Sequence, residues 1–326
     1  MLRAKRQSAA VASGEAKPKG AIGKRHAYYG KKTRHLTAIA SPGFALIFLF
    51  SYLPMFGLIL AFKDFRYDKG ILGSEWCGLE NFQFFFNSLD AWRVTRNTLL
   101  LNLAFIVTTL VVSLAVALVL YQITNRIMLK FYQTMIFVPY FLSMAVVAFV
   151  VYAFLNVDYG VVNRWLEKLG MDPVLWYSRA DLWPGILIGI NLWKNLGYYV
   201  LVYYAALMGL DATCFEAAEI DGATKFQTMV KVAIPMIAPV IIIMLLLQVG
   251  RIFYSDFGLF YLVTRNSGTL YSTVDVIDTY IFRSLRVAGD IGVSAAVGMY
   301  QSVVGFILVL GSNLLVRRYD PDSALF

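Results

Sequence analysis

Long apolar stretches, separated by shorter polar ones, dominate the chain. Six of them reach about 20 residues, the length with which an α-helix crosses a hydrocarbon layer roughly 30 Å thick. These stretches are 41–62, 97–121, 131–155, 182–210, 234–255 and 291–316. Each is continuously apolar rather than alternating, which disfavours the strands of a β-barrel. The pattern therefore predicts an all-α membrane protein with six transmembrane helices.

Composition leads to the same class. Of the 326 residues, 59% are hydrophobic and only 15% are charged. A soluble domain of this size needs more charge to cover its surface, so a lipid bilayer is the expected solvent. The six stretches contain no Asp or Glu, and their only charges are Lys194 and Arg251. Cys77 and Cys214 fall on opposite sides of the predicted membrane, so we expect neither a disulfide nor a metal site.

The distribution of Lys and Arg predicts the orientation. Both termini share one side with the loops 122–130 and 211–233, and this side holds sixteen basic and seven acidic residues. The opposite side holds eleven basic and thirteen acidic residues. Because the side richer in Lys and Arg faces the cytoplasm, we expect a multi-pass protein of the bacterial cytoplasmic (inner) membrane with both termini inside.

Residues 1–40 form a basic tail, which contains ten Lys and Arg and one Glu. This composition is typical of a disordered segment. The tail is either solvated or docked on anionic lipid headgroups, where each basic residue contributes roughly 1 kcal/mol. His26 and His35 both lie in it without a nearby carboxylate or nucleophile, so we expect no catalytic role for them. Residues 41–326 form the predicted membrane domain.

The polar segment 211–235 separates the fourth and fifth stretches. Asp211 can cap a helix that includes the EAAE run at 216–219, and Gly222 permits the positive φ that ends such a helix in a sharp turn. One apolar helical face is expected after the turn, formed by Phe226, Met229, Val230 and Ala233. Pro235 should then kink the chain where it enters the fifth span. The segment is predicted to be a compact helical hairpin on the cytoplasmic surface.

This segment resembles the EAA loop of ABC importer permeases. "EAAEIDGA" followed by "VAIP" matches the family pattern of EAA, a Gly after three further residues, and I-x-L-P, with Val232 and Ile234 replacing Ile and Leu. The resemblance implies that the loop is a cytoplasmic coupling helix between spans four and five, which docks into a cleft of an ATPase subunit. The residues implied in ATPase coupling are Glu216, Ala217, Ala218, Asp221, Gly222, Ala223, Phe226 and Pro235.

The resemblance covers roughly residues 40–326 and points to the carbohydrate branch of these importers. It is carried by "SYLPMFGLILAFKDF" (51–65), "GLENFQFFF" (78–86), "RNTLLLNL" (96–103), "VPYFLS" (138–143), "LWKNLGYYVLVYYAAL" (192–207) and "VIDTYIFR" (276–283). That branch takes up oligosaccharides and polysaccharides, which include acidic saccharides of the alginate or pectin type.

The partners and cofactors follow from the same resemblance. It implies a second permease subunit that is a related but different chain, two ATPase subunits and an extracytoplasmic solute-binding protein, besides the surrounding membrane lipids. We expect no nucleic acid partner. The chain lacks a G-x-x-x-x-G-K-[ST] phosphate-binding loop, because Gly23-Lys24 is followed by Arg25. We therefore expect no cofactor in this chain and no enzyme activity of its own, with ATP and Mg used by the partner ATPase.

Polar residues within the spans predict a translocation path, since such residues usually face a cavity or each other. In span four, four polar positions follow helical spacing, and Lys194 lies roughly 18 Å from the outer end. Gln248, Arg251 and Ser255 form a second stripe, and Gln301 belongs to a third stripe whose small residues could instead serve helix packing. The predicted path residues are Asn191, Trp193, Lys194, Asn195, Tyr198, Gln248, Arg251, Ser255 and Gln301.

Several alternatives remain open at this point. Lys194 and Arg251 favour an anionic substrate if they face the path, whereas hydrogen bonding across helices or snorkelling would leave a neutral saccharide equally suitable. An ion-coupled secondary transporter would need carboxylates inside the spans, and these are lacking. A membrane-embedded enzyme would need a nucleophile or a histidine–carboxylate group near a span. The sequence therefore favours an importer subunit, with an acidic saccharide slightly preferred over a neutral one.

Overall fold

A computed structural model of the protein describes residues 36–319. The chain divides into two compact units between Leu58 and Ile59. The described part of the first unit, residues 36–58, is helical throughout, and its side chains are almost all exposed. The second unit contains the remaining helices and the predicted functional residues.

The described helices are numbered along the chain. They are α1 (Leu36–Phe62), α2 (Gly70–Gly73), α3 (Glu80–Phe86), α4 (Leu89–Tyr121), α5 (Arg126–Phe137), α6 (Met144–Leu155), α7 (Val161–Lys168), α8 (Trp183–Met208), α9 (Ala212–Ile220), α10 (Lys225–Thr228), α11 (Ile234–Met236), α12 (Ala238–Val249), α13 (Tyr271–Val274), α14 (Ile277–Arg286) and α15 (Ile291–Tyr319). The last part of α1 is π-helical over Phe48–Tyr52 and 3₁₀-helical over Leu53–Phe62. Short 3₁₀ turns occur at Val138–Phe141, Trp176–Ser178 and Gly268–Leu270, and π-helical turns at Met229–Ala233 and Gly258–Val263.

Three helices are individually long and apolar enough to cross a membrane, namely α1, α4 and residues Ile291–Arg318 of α15. Three further candidates are bent helix pairs. The bend is 100° between Arg126–Phe141 and α6, 74° between α8 and α9, and 64° between Lys225–Met236 and α12. The described chain thus has three to six candidate spans, which confirms the prediction of a multi-span helical protein.

Observed boundaries differ from the predicted ones where polar residues continue a helix. Residues 36–40, which the sequence analysis assigned to the tail, are helical and belong to α1. Residues 1–35, with both histidines, lie outside the described residues. α4 begins at Leu89 rather than at residue 97, because the Ser88 hydroxyl caps it by accepting from the Ala91 N–H at 3.3 Å. A hydropathy pattern omits such a polar first turn.

One strand pair departs from the all-α prediction. β1 (Lys63–Asp64) and β2 (Glu75–Trp76) are antiparallel, with Lys63 opposite Trp76. The buried Lys63 ammonium organises this loop, because it donates to three carbonyl oxygens, those of Ile71, Leu72 and Ser74, at 2.9–3.0 Å. Lys63 is therefore the centre of a small folded loop between α1 and α3.

Prolines lie at two of the three bends, the 100° bend before α6 and the 64° bend before α12. Pro139 lies in the 3₁₀ turn after α5, and the Ser143 hydroxyl then caps α6 by accepting from the Val146 N–H. In the other break, Pro235 follows the π-helical turn and Pro239 lies in the first turn of α12. Proline cannot donate the i→i−4 hydrogen bond, so the chain turns where these residues occur. The predicted kink at Pro235 is therefore centred two residues later, at Ile237.

The core forms around α4 and α8, which run parallel. Towards their N-terminal ends, Leu101 and Phe105 of α4 belong to the same buried cluster as Trp183 and Leu187 of α8. Towards their C-terminal ends, a second cluster joins both helices to the 229–237 segment through Ala117, Leu120, Val200, Tyr203, Leu207, Met229, Ala233 and Ile237. This second cluster connects the polar loop that follows α9 to the two central helices.

A glycine in α8 allows the closest helix approach in this core. A Cβ atom on Gly197 would lie 2.5 Å from the carbonyl oxygen of Ile136 and 2.6 Å from the Cα of Phe137. Such distances are shorter than any van der Waals contact, so α8 can meet the end of α5 only if residue 197 has no side chain. The position of α8 beside the 138–143 break depends on this contact.

We therefore expect Gly197→Ala to destabilise the protein, by on the order of 1–3 kcal/mol, because backbone atoms must move to admit the methyl group. The measurement is the apparent melting temperature of the detergent-purified transporter. Gly189→Ala in the same helix is the matched control, since its added Cβ meets no atom within 4 Å. Equal melting temperatures for the two variants would contradict the packing argument.

Candidate functional site

A polar cavity lies between α4, α8, the 138–141 turn and the end of α12. Its volume is about 540 Å³. Its lining residues are Asn102, Phe105, Ile106, Thr109, Tyr140, Asn191, Asn195, Tyr198, Tyr199, Met244, Leu247, Gln248, Arg251, Ile252 and Tyr254. Amides, hydroxyls and one guanidinium therefore face a space of the size that small-molecule sites in proteins usually have.

Five of the nine predicted path residues meet in this cavity. Asn191, Asn195 and Tyr198 reach it from one face of α8, as their helical spacing predicts, while Gln248 and Arg251 reach it from α12 and the turn after it. The Asn195 amide donates to the Asn191 side-chain oxygen at 2.9 Å and to its carbonyl at 3.0 Å. These contacts fix the direction in which both amides present their remaining hydrogen-bonding groups.

Arg251 supplies the positive charge of the cavity. α12 ends at Val249, so Arg251 and Ser255 follow the helix in a turn and a loop, and the predicted stripe along span five is not helical at these positions. The Arg251 side chain is exposed, and no acidic residue within 36–319 forms an ion pair with it. Its guanidinium is thus available to a ligand.

Stacked rings form part of the cavity wall. Tyr140 lies parallel to Phe137 at 5.5 Å between ring centroids, and parallel to Tyr198 at 5.4 Å, with interplanar angles of 12° and 14°. Tyr199 meets the edge of Tyr198 at 5.2 Å. Tyr140, Tyr198 and Tyr199 line the cavity. The wall therefore offers aromatic surface and phenolic hydroxyls beside the amides of α8.

Lys194 lies on the same helix but holds the backbone rather than lining the cavity. Its ammonium donates to the carbonyl oxygens of Tyr140 at 3.1 Å and Leu142 at 2.6 Å, and it lies 5.9 Å from the Tyr140 ring centroid. The structure thus favours the cross-helix hydrogen bonding that the sequence left open. Two carbonyls exposed by the break in the chain after α5 are satisfied in this way.

Three other predicted path residues also lie outside the cavity lining. Trp193 is 44% exposed on the surface of α8. Ser255 and Gln301 belong to a hydrogen-bonded network: the Ser255 N–H donates to the Asp278 carboxylate at 2.8 Å, and the Gln301 amide donates to the Phe253 carbonyl at 2.7 Å and to Asp278 at 3.1 Å. Burial raises the pKa of Asp278 despite these two donors. The network secures the turn that carries Arg251.

Sequence reasoning missed several polar residues of the cavity. Asn102 and Thr109 of α4 were overlooked because the stretch 97–121 carries no charge, although their i, i+7 spacing places both on one helical face. Tyr140 and Tyr254 come from irregular segments, where no periodic pattern applies. Asn102 also donates to the Ile252 carbonyl at 2.8 Å and to the Ser255 hydroxyl at 3.1 Å, which ties α4 to the Arg251 turn.

The loop after α8 adopts the predicted helix and turn. Asp211 caps α9 by accepting from the Thr213 N–H at 3.0 Å, and this hydrogen bond lowers the pKa of Asp211. Gly222 has a φ of +76° and directly follows Asp221, the C-cap residue of α9. A capping box that the sequence analysis did not identify then starts α10, with reciprocal hydrogen bonds between Thr224 and Gln227.

The apolar residues after this turn face two directions instead of one. Met229 and Ala233 are buried against the C-terminal parts of α4 and α8, whereas Phe226 is 76% exposed and Val230 is 41% exposed. The prediction of a single face assumed α-helical spacing, but Met229–Ala233 forms a π-helical turn with a longer period. Phe226 therefore belongs to an exposed surface together with Ile220, which is 86% exposed.

The predicted coupling residues are distributed over both faces of this loop. Glu216, Ala217, Asp221, Gly222, Phe226 and Pro235 are exposed, Ala223 is half-buried, and Ala218 is buried. Ala218 therefore anchors α9 to the rest of the membrane domain. The exposed side chains of the segment include three carboxylates, Glu216, Glu219 and Asp221, and two large apolar groups, Ile220 and Phe226. Such a surface can bind a protein partner, but it holds no arrangement suited to catalysis.

Comparison with known proteins supports the resemblance to ABC importer permeases that the sequence shows. A family described as the binding-protein-dependent transport system inner membrane component matches residues 109–321. Protein LplB of Bacillus subtilis (strain 168) is 33% identical over 293 residues, which are 90% of this chain and 92% of that protein. The polygalacturonan/rhamnogalacturonan transport system permease protein YteP of the same organism is 30% identical over 290 residues, or 89% and 90% of the two chains.

Solved structures of a bacterial ABC transporter involved in the import of the acidic polysaccharide alginate share the fold. Two of them superpose with TM-scores of 0.83 and 0.81, both at 31% identity, over 91% and 89% of this chain and 99% and 96% of theirs. The second contains a periplasmic protein bound to an alginate pentasaccharide. The expectation of a transport subunit rather than an enzyme is confirmed: the chain belongs to the family of inner membrane components of binding-protein-dependent transport systems.

Proposed function

We propose that this permease forms half of the path by which an acidic oligosaccharide or polysaccharide enters the cell. The observation that carries the proposal is the unpaired Arg251 in a cavity otherwise lined by amides, hydroxyls and tyrosine rings. Amide and hydroxyl groups can exchange hydrogen bonds with sugar hydroxyls, whereas a guanidinium recognises a carboxylate through two parallel hydrogen bonds. The relatives named for polygalacturonan/rhamnogalacturonan and alginate support the same class of solute.

A neutral oligosaccharide is the alternative, and one group in the cavity separates the two. Asn191, Asn195 and Gln248 would serve a neutral sugar as well as an acidic one. Only Arg251 discriminates between them, since a guanidinium without an ion-pair partner among residues 36–319 gains more from a carboxylate than from a hydroxyl. Membership of the family leaves no reason to retain an ion-coupled secondary transporter.

The assembly we propose contains more than this chain. Each bent helix pair contributes one span, which gives six spans with both termini in the cytoplasm and α9 lying on the cytoplasmic surface. A second, different permease completes the path, and two ATPase subunits bind ATP and Mg below it. An extracytoplasmic binding protein delivers the solute; the alginate transporter solved with its periplasmic protein supports this arrangement. The chain itself binds no cofactor, and lipids surround its spans.

Coupling to the ATPases follows from the connection between the exposed loop and the cavity. Glu216, Asp221 and Phe226 are the exposed groups that would contact an ATPase, and Gly222 shapes the turn that presents them. The chain continues through the buried 229–237 segment into α12. This helix is about 18 Å long at 1.5 Å per residue, and it carries Gln248 at its far end. Closure of the ATPases would therefore move Gln248 and Arg251 relative to α8.

We expect Arg251→Gln to reduce uptake of uronate oligosaccharides by about 10-fold or more, because it removes a charge-assisted contact worth roughly 1.5–3 kcal/mol. Uptake of neutral oligosaccharides of matched length should change less than about twofold. The measurement is initial uptake by the complete transporter with its binding protein in proteoliposomes. Arg66→Gln, in an exposed ion pair with Asp68, is the control. An equal loss for both classes of saccharide would contradict the assignment of Arg251.

We expect the complete transporter that carries Gly222→Val to hydrolyse ATP in its ATPase subunits without uptake, because a β-branched residue is strained at a φ of +76° and disrupts the turn proposed to contact the ATPase. A Cβ at this position meets no atom within 4 Å, so the effect isolates backbone conformation from packing. Gly222→Asn is the matched control, since Asn tolerates positive φ and should retain most coupling. Normal uptake by Gly222→Val, with the protein inserted as usual, would count against the coupling role.

A further inference from the structure

Two more cavities lie beside α6, one along the helix from Ala145 to Tyr152 and the other at its C-terminal end. The larger has a volume of about 600 Å³ and is lined by Ala145, Ala148, Phe149, Tyr152, Tyr261, Leu262, Arg265 and Asn266. The smaller has a volume of about 430 Å³ and is lined by Tyr152, Asn156, Val157, Asp158, Tyr177, Arg265 and Ser267. Tyr152 and Arg265 belong to both, so this pair of side chains stands where the two cavities meet. Neither cavity shares a lining residue with the central one.

The backbone at Arg265 has a conformation that few residues other than glycine adopt. Arg265 and Asn266 have φ values of 57° and 48°, and they are the only residues other than glycine with positive φ in the described chain. The turn is fixed on both sides, because the Tyr271 hydroxyl donates to the Asn266 side-chain oxygen at 2.9 Å and the Ser267 hydroxyl donates to the Tyr177 carbonyl at 3.3 Å. Strained backbone of this kind concentrates at ligand-binding sites.

The guanidinium of Arg265 lies over the ring of Tyr152, with 4.0 Å between its Cζ and the ring centroid. Its side chain is exposed, and within residues 36–319 no acidic group forms an ion pair with it. Stacking fixes the plane of a guanidinium while its N–H groups stay free at the edge. Arg265 therefore presents a pre-oriented fork for a planar anion such as a carboxylate.

The surroundings of Arg265 distinguish the two cavities. Asp158 lines the smaller one, where its negative charge would repel a second carboxylate. The larger cavity has no acidic lining residue and offers two tyrosine rings and the Asn266 amide. Tyrosine rings and a side-chain amide suit the faces and hydroxyls of a sugar ring. The larger cavity is therefore the better site for a sugar that carries a carboxylate.

We propose that Arg265, Tyr152 and Asn266 form a second acidic-saccharide site, which receives a uronate unit before it reaches the central cavity. This inference rests on the proposed function, since the topology proposed there places the end of α6 on the extracytoplasmic side. α6 links the two sites: its cap residue Ser143 follows the turn that carries Tyr140, and Tyr152 lies about 14 Å further along at 1.5 Å per residue. The solute would thus pass one unpaired arginine on the way to the next.

The anionic headgroup of a lipid is the other ligand with the chemistry to bind Arg265. Phe149 and Leu262 line the larger cavity and are 77% and 39% exposed, so part of its rim is apolar. The hydroxyls and amide inside the cavity match a saccharide better than an acyl chain. If Arg265 binds a saccharide, the effect of replacing it on uptake depends on the saccharide concentration. If Arg265 binds a lipid headgroup, that effect depends on the lipid composition of the vesicles.

The test compares Arg265→Gln with the unchanged protein in the complete transporter with its binding protein, reconstituted in vesicles of phosphatidylcholine alone or with one-fifth phosphatidylglycerol. Initial uptake is measured against the concentration of uronate and of neutral oligosaccharides of matched length. We expect Arg265→Gln to raise the half-saturating concentration of the uronate about 10-fold, with less than twofold change for the neutral saccharide. Lipid composition should not alter this difference.

Three further variants make the test specific. Arg265→Lys keeps the charge without the stacked fork and should give an intermediate half-saturating concentration. Asp158→Asn, in the smaller cavity, should change the half-saturating concentration less than twofold. Arg179→Gln removes an arginine from an exposed ion pair with Asp181 and serves as the control. Co-purification of the ATPase and the melting temperature show whether each variant is assembled.

The outcomes separate this inference from the proposed function. If the unchanged protein prefers the uronate and an assembled Arg265→Gln variant retains the same half-saturating concentration, the outer site is wrong while the proposed function stands. If the unchanged protein shows no preference for the uronate, the proposed substrate class is wrong, and the outer site, which rests on it, is wrong as well. An effect of Arg265→Gln that appears only with phosphatidylglycerol identifies a lipid site and overturns the inference. Loss of the same magnitude for the neutral saccharide also overturns it.

Discussion

Unsatisfied backbone groups cannot remain in a membrane interior, and this constraint determines where the site can form. Irregular backbone at that depth must be covered by protein or must line a cavity. The chain breaks after α5, and the Lys194 ammonium satisfies the carbonyls of Tyr140 and Leu142 that the break exposes. Because of this bridge the chain can bend by 100° there, and Tyr140 is brought against Tyr198 on the cavity wall. The shape of the cavity therefore depends on the hydrogen bonds that Lys194 donates to these carbonyls.

The second break solves the same problem with a network instead of a single cation. Where the chain leaves α12, Asn102 donates to the Ile252 carbonyl and Gln301 donates to the Phe253 carbonyl. These two amides come from different helices, α4 and α15, so the turn between Val249 and Ser255 is held from two sides. Arg251 lies in this turn and forms no ion pair with an acidic residue among residues 36–319, so its charge is open to the cavity.

Local chemistry made part of this arrangement predictable from the sequence. The Asp211 cap and the positive φ of Gly222 depend on neighbouring residues alone, and both were predicted. The i, i+4 pair of Asn191 and Asn195 follows from regular helix geometry. Hydrogen bonding of Lys194 across helices was one of two alternatives, but its acceptors were not predictable, because they lie more than 50 positions earlier in the chain. A pattern within one helix cannot reveal a break in another.

The cationic side chains of the membrane domain fall into two groups. Some bind acceptor groups of the protein itself, and others face a cavity without an ion-pair partner among residues 36–319. Lys63 and Lys194 bind backbone carbonyls, and Arg283 binds the fully buried Asp275 carboxylate at 2.6 Å. Such cations hold the fold, since removing one partner leaves an uncompensated buried group. Arg251 and Arg265 line cavities and have no ion-pair partner among residues 36–319. A cation that the protein positions but does not neutralise gains most from an anion brought from outside. Two such cations on the proposed path favour a solute with repeated charges over one with a single charge.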